Sequence, residues 1–168
     1  VMKRNVISVL VENHPGVLFR ISGLFSRRGY NINSLTVSCT ENPDLSRMTV
    51  LCTGDDSTVE QIMKQLNKQE DVKKVMLLKE ESSSLGDIAL VKLYATNGKR
   101  KKIMDVINEI GASITDMGDK TVTVQITGSY HHVDEALKKL YKLGVAEVAR
   151  TGLVGLQSGD GILVDHEE

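Results

Sequence analysis

At 168 residues, with 40% hydrophobic and 26% charged content, the chain has the composition of an ordinary folded protein, long enough for one mid-sized domain or two small ones. Its 21 basic and 22 acidic residues leave a formal charge of -1, so no global field draws it toward nucleic acid or an anionic membrane. No apolar run approaches the roughly 18 residues that a membrane span needs, and VMKRNVISVL carries no signal-peptide pattern, so a cytoplasmic address is expected.

In chain order, residues 5–11 read as a central strand, apolar on both faces. Residues 15–28 read as a helix with Leu18, Ile21, Leu24 and Phe25 on its buried face, closed by Gly29. Mid-helix Gly23 costs roughly 1 kcal/mol against alanine, which suggests close packing across it, either in a dimer or of helix on sheet. Residues 31–39 and 47–53 are strands flanking the polar turn 40–46, and together predict an antiparallel hairpin. Asp56 or Ser57 is placed to cap a helix carrying Val59, Ile62, Met63 and Leu66, and residues 72–78 form the closing strand.

The same order then repeats. Residues 88–94 are a strand, Ile103, Val106, Ile107 and Ile110 mark a helix ending before Gly111, and Ile114 lies in the next strand. Residues 121–127 alternate cleanly; Val133, Leu137, Leu140 and Tyr141 mark a last helix, and residues 145–149 a last strand. The expected class is α+β, two ferredoxin-like βαββαβ domains in tandem: residues 1–80, a linker at 81–86, and residues 87–168 with an extended, glycine-containing tail and an acidic end. Domains of about 80 residues bury only about 60% of their unfolded surface, so oligomerisation is expected.

Cys39 and Cys52 lack a CxxC spacing and are expected as reduced, partly buried thiols. The corner Asn13-His14-Pro15-Gly16 carries the most specific chemistry. Pro15 suits a first helical position, Asn13 or His14 the cap, and Gly16 lets a ligand carboxylate approach the free N–H groups of the first turn. Asn13 offers both an amide donor and a carbonyl acceptor to a zwitterion. Asn31 and Asn33 alternate onto the line of Leu35 and Val37, where polar groups call for a partner. The bland alternative is a capped helix with turn-forming asparagines.

The segments SVLVENHPGVLFRISGLFSRRGYNINSLTV and LSRMTV resemble the ACT domain of the acetolactate (acetohydroxyacid) synthase small-subunit family, and VAEVARTGLVGLQSGD resembles that family's C-terminal domain. The resemblance implies a non-catalytic regulatory subunit, with a homodimer formed through the ACT domain and a large catalytic subunit as partner. That partner makes acetolactate on the route to valine, leucine and isoleucine, and the small subunit activates it and confers feedback inhibition by valine. No cofactor is implied on this chain; thiamine diphosphate, magnesium and, as a further candidate, FAD belong to the catalytic subunit. Carried over, Asn13, Gly16, Val17, Leu18, Asn31 and Ile32 stand at the effector site. His14, Pro15 and Asn33 support it, although His14-Pro15 falls where the family varies.

Other motifs are plainer. Lys99-Arg100-Lys101-Lys102 lacks the phosphate-loop pattern and reads as a solvated helix face or a dock for an acidic patch. His131-His132 is expected at the surface before a helix, without metal-ligand spacing, and Ser158-Gly159-Asp160-Gly161 is a partner contact by family analogy. A stand-alone amino-acid sensor acting on another partner is the alternative. A small enzyme lacks a converging polar set, and an RNA-binding module lacks aromatic residues in 47–52.

Overall fold

The computed structural model describes residues 3–163, so the acidic end at 164–168 lies outside the described residues. The chain forms two compact units: the segment up to Ser84 together with the segment from Gly152 on, and Leu85–Thr151.

The first unit runs β1 (Lys3–Glu12), α1 (Val17–Arg27), β2 (Ile32–Cys39), β3 (Leu45–Gly54), α2 (Asp56–Asn67) and β4 (Val72–Leu78). Its sheet is antiparallel throughout in the order β2-β3-β1-β4, which leaves β2 at one edge. Ile7, Val9 and Val11 of β1 and Met48, Val50 and Cys52 of β3 pack under Val17, Ile21, Leu24 and Phe25 of α1 and Val59, Ile62 and Leu66 of α2. The apolar helical spacing and strand alternation thus meet in one core.

β1 is apolar on both faces because the returning chain covers the face away from the helices. Thr36 Oγ1 donates to Leu153 O at 2.8 Å, and Leu163 packs on Leu10, Leu45 and Met76. Gly152, at φ +87, passes so close that a Cβ there would meet Ser34 Cβ and Oγ at 3.0 Å. The tail expected with the second domain therefore begins, from Gly152, as part of the first unit, and it contains a short strand, β9 (Val154–Gln157). The segment expected as a linker is a 3-10 turn (Glu80–Ser82) running directly into β5 (Ser83–Tyr94), and Ser158 N donates back to Ser82 O.

The second unit continues with α3 (Arg100–Ile110), β6 (Ser113–Met117), β7 (Thr121–Gly128), α4 (Tyr130–Tyr141) and β8 (Val145–Arg150), with strands ordered β6-β7-β5-β8. Ala89, Val91, Leu93, Val122, Val124 and Ile126 meet Ile103, Ile107, Val133 and Leu140. Where its chain enters and leaves, Arg150 pairs with buried Asp87 through Nε and Nη2 at 2.6 Å and with Asp134 through Nη1 at 2.7 Å. Both units are therefore βαββαβ, as the repeated order predicts. His131 and His132 sit inside the first turn of α4, not before it, and Tyr141 is 59% exposed because it ends its helix beyond the core. No helix among the described residues is long and apolar enough to cross a membrane.

Candidate functional site

The corner after β1 differs from the sequence expectation in its cap. α1 starts at Val17 with Gly16 as the cap at φ +90, and no side chain caps it. Pro15 lies before the helix, and no described side chain accepts from the first-turn N–H groups of α1. Gly16 is required by its left-handed backbone; a Cβ there would meet only the flexible end of Arg20, with Nη1 at 3.2 Å. Leu18 is 47% exposed and Phe19 82%, because Val17, Ile21, Leu24 and Phe25 form the buried stripe of α1 and both side chains fall outside it.

Asn13 does not cap α1 either. Its backbone N donates to Asp44 O, and its Nδ2 donates to Pro43 O at 2.8 Å and to Cys39 Sγ at 3.4 Å. It thereby ties the end of β1 to the β2–β3 turn, and no described residue donates to its Oδ1. Cys39 is exposed, contrary to expectation, because β2 is an edge strand; Cys52 is buried, and burial pushes its thiol up from the ordinary range.

Behind the corner lies a charge network that local spacing does not announce. Arg20 Nε donates to Asp71 Oδ2 at 2.6 Å, and Lys73 Nζ lies 2.5 Å from Glu12 Oε1. His14 Nδ1 faces Pro15 O at 3.2 Å, while its Nε2 lies 3.1 Å from Glu12 Oε2 and 3.0 Å from Asp71 Oδ1. All three are acceptors, so the imidazolium is the form that satisfies them. The Pro15 carbonyl, then Glu12 and Asp71, raise the pKa of His14 against the opposing effect of burial, and Lys73, then His14, hold the Glu12 carboxyl below its usual value. Glu12, His14 and Asp71 bring their ligand-type atoms within 4.8 Å of one another. Arg20 and Lys73 already neutralise the two carboxylates, so the cluster is self-contained instead of an open metal site.

The second group of candidates begins β2. A bulge between Ile32 and Ser34 interrupts the alternation at Asn33, which separates Asn33 from the line of Leu35 and lets Ile32 join Leu35 against the helices. Asn33 Oδ1 accepts from Thr53 Oγ1 at 2.9 Å, and Asn31 is exposed. Asp55, one residue before the expected cap, receives Thr58 N at 2.8 Å and starts α2.

Within one chain the structure does not bring the two groups together. Asn13 contacts Cys39 at the end of β2, whereas Ile32 opposes Cys52 at its start. Seven residue steps of about 3.3 Å put them roughly 23 Å apart along the edge strand.

Residues 7–74 match the family model of the AHAS small subunit-like ACT domain, and residues 86–159 match that of the small subunit of acetolactate synthase. The chain is 41% identical over 157 residues to the acetolactate synthase small subunit of Mycobacterium bovis, a match covering 94% of each chain. It is 42% identical over 161 residues to the acetolactate synthase isozyme 3 small subunit of Escherichia coli, covering 95% of this chain and 99% of that one. Its fold matches the crystal structure of the acetolactate synthase small subunit of Thermotoga maritima with a TM-score of 0.86 and 34% identity, over 95% of this chain and 99% of the other. Tandem βαββαβ units, the ACT corner and these likenesses over nearly the whole chain agree: the chain belongs to the family of acetolactate synthase small subunits.

Proposed function

We propose that this chain is the regulatory subunit of an acetolactate synthase, that two copies pair through their ACT domains to complete valine sites, and that valine thereby restrains a catalytic subunit which the chain otherwise activates. The observation that carries this reading is the separation of the two half-sites along the unpaired edge of β2. A two-fold axis pairing β2 with its copy antiparallel extends the sheet and sets Asn31 and Ile32 of one chain beside the Asn13–Gly16 corner of the other. Leu18, Phe19 and Val37, the last 44% exposed, supply apolar surface on α1 and β2 for that contact.

In this arrangement the ligand carboxylate meets the uncapped first turn of α1, where N–H groups and the positive helix end favour an anion. The Asn13 Oδ1 acceptor suits the ammonium group. Valine acts only through its differential affinity for the activating and restraining states of the dimer. Thiamine diphosphate and magnesium, with FAD as a further candidate, belong in this reading to the catalytic subunit, and the assembly to the cytoplasm. The test is acetolactate formation by the catalytic subunit with and without this chain, titrated with valine, leucine and isoleucine. Activation with inhibition by valine is expected; a chain that binds valine yet leaves the catalytic subunit unchanged is a sensor for some other partner.

A further inference from the structure

We propose that one pole of the second unit is a docking surface for an acidic face of the catalytic subunit, an inference that rests on the regulatory reading above. The pole gathers the end of β5, the start of α3, the β6–β7 turn and the start of β8. Arg100 donates to Gly118 O and Asp119 O, Ala95 N donates to Lys120 O, Tyr94 N donates to Gly144 O, and Lys99 Nζ would lie 3.9 Å from a Cβ on Gly144.

Lys99, Lys101, Lys102, Lys120 and Lys142 are all exposed there, and no described carboxylate pairs with any of them. Elsewhere in the same unit Lys92, Lys138 and Lys139 are paired with Glu147, Glu135 and Glu109. Within the second unit the unpaired lysines are therefore gathered at this pole, where the one exposed carboxylate of the β6–β7 turn is Asp119.

Their position opposes helix stability. α3 has no acidic residue in its first turn and begins Lys99-Arg100-Lys101-Lys102, so like charge sits on the positive end of the helix dipole. Self-repulsion of this kind is relieved by an anionic partner, and a negatively charged surface would be both steered to the pole and held there. Tyr94 and Tyr141, 53% and 59% exposed at the same end, add the amphipathic aromatic area that protein interfaces favour. Tyrosine together with basic residues also suits single-stranded RNA, but the resemblance to a subunit of a two-part enzyme favours a protein.

The test compares Lys101→Glu/Lys102→Glu with Lys68→Glu/Lys79→Glu, a reversal of equal charge at two exposed first-unit lysines that no described carboxylate pairs, in titrations against the catalytic subunit. Glutamate in the first turn favours α3, so lost binding is not a folding defect, and thermal melting checks this. The pole variant should bind the catalytic subunit at least tenfold more weakly and show a shallower salt dependence, while the control and the calorimetric valine response stay unchanged. Equal affinity of both variants overturns the proposal, as does pole-dependent binding of single-stranded RNA with catalytic-subunit affinity unaltered. If the wild-type chain itself neither binds nor activates the catalytic subunit, the regulatory reading fails and this inference with it.

Discussion

Arg20 of α1 and Asp71 of the turn before β4 form a forked contact between residues 51 apart in the chain. Arg20 Nε donates to Asp71 Oδ2 at 2.6 Å, and its Nη2 lies 2.6 Å from the same oxygen. The pair ties α1 to the turn before β4 and sets the Arg20 guanidinium beside Gly16, in the proposed effector corner.

Asp71→Asn removes the acceptor charge shared by Arg20 and His14. Because Arg20 is 48% exposed and stays solvated, the stability cost should be near that of a surface pair, about 1 kcal/mol, read as a lowered denaturation midpoint. The larger effect falls on sensing. Release of Arg20 should raise the valine concentration needed for half-inhibition at least several-fold while activation of the catalytic subunit persists. An unchanged valine response would show that the network does not set the corner.

The imidazolium of His14 gives the corner a pH dependence of defined sign. A group whose pKa is raised on folding contributes stability that is fully present below its ordinary value of 6.5 and is lost as pH rises through the raised value. Glu12, lowered by Lys73 and then His14, contributes above its ordinary value of 4.5 and loses that contribution as pH falls through the lowered value. Comparison of wild type with His14→Gln by urea denaturation should therefore show a difference at pH 6 that fades by pH 8.5. A difference independent of pH would mean that His14 acts through packing alone.

A Cβ at Gly23 would meet only the flexible end of Arg27, with Nη1 at 3.2 Å, so the helix-on-sheet explanation of this glycine has no counterpart in the structure. Gly23→Ala should then raise the stability of the dilute chain by about 0.5–1 kcal/mol through helix propensity. Phe19 and Gly23 lie four residues apart on one row of α1, so in the proposed pairing the same substitution should weaken dimerisation. Sedimentation equilibrium beside a melting curve separates the two effects; stronger dimerisation would place the α1 seam elsewhere.

Much of the fold was legible because periodicity is local. The alternation through Val122, Val124 and Ile126 and the helical spacing of Ile103, Ile107 and Ile110 each name the buried face of one element. What local patterns missed depends on distant partners. Nothing near Asp71 announces Arg20 or His14, and VGLQ is too short and too glycine-flanked to reveal that β9 returns to the first unit. Nor do Asn31 and Asn33 betray the bulge between Ile32 and Ser34, since the core position of Ile32 decides it. The residues proposed for the effector were nameable from their types and the family likeness, but their separation along β2 required the sheet register.

That separation makes the shared site open to a direct complementation measurement. Gly16→Asp destroys the corner and Asn31→Ala the β2 contribution, so each homodimer should activate the catalytic subunit without responding to valine. Mixed and allowed to exchange subunits, heterodimers carry one doubly altered site and one intact site. Valine inhibition should reappear in the mixture, at up to half of the sites in each heterodimer. If both homodimers are insensitive and the exchanged mixture remains so, the valine site lies within one chain and the two-fold account is contradicted.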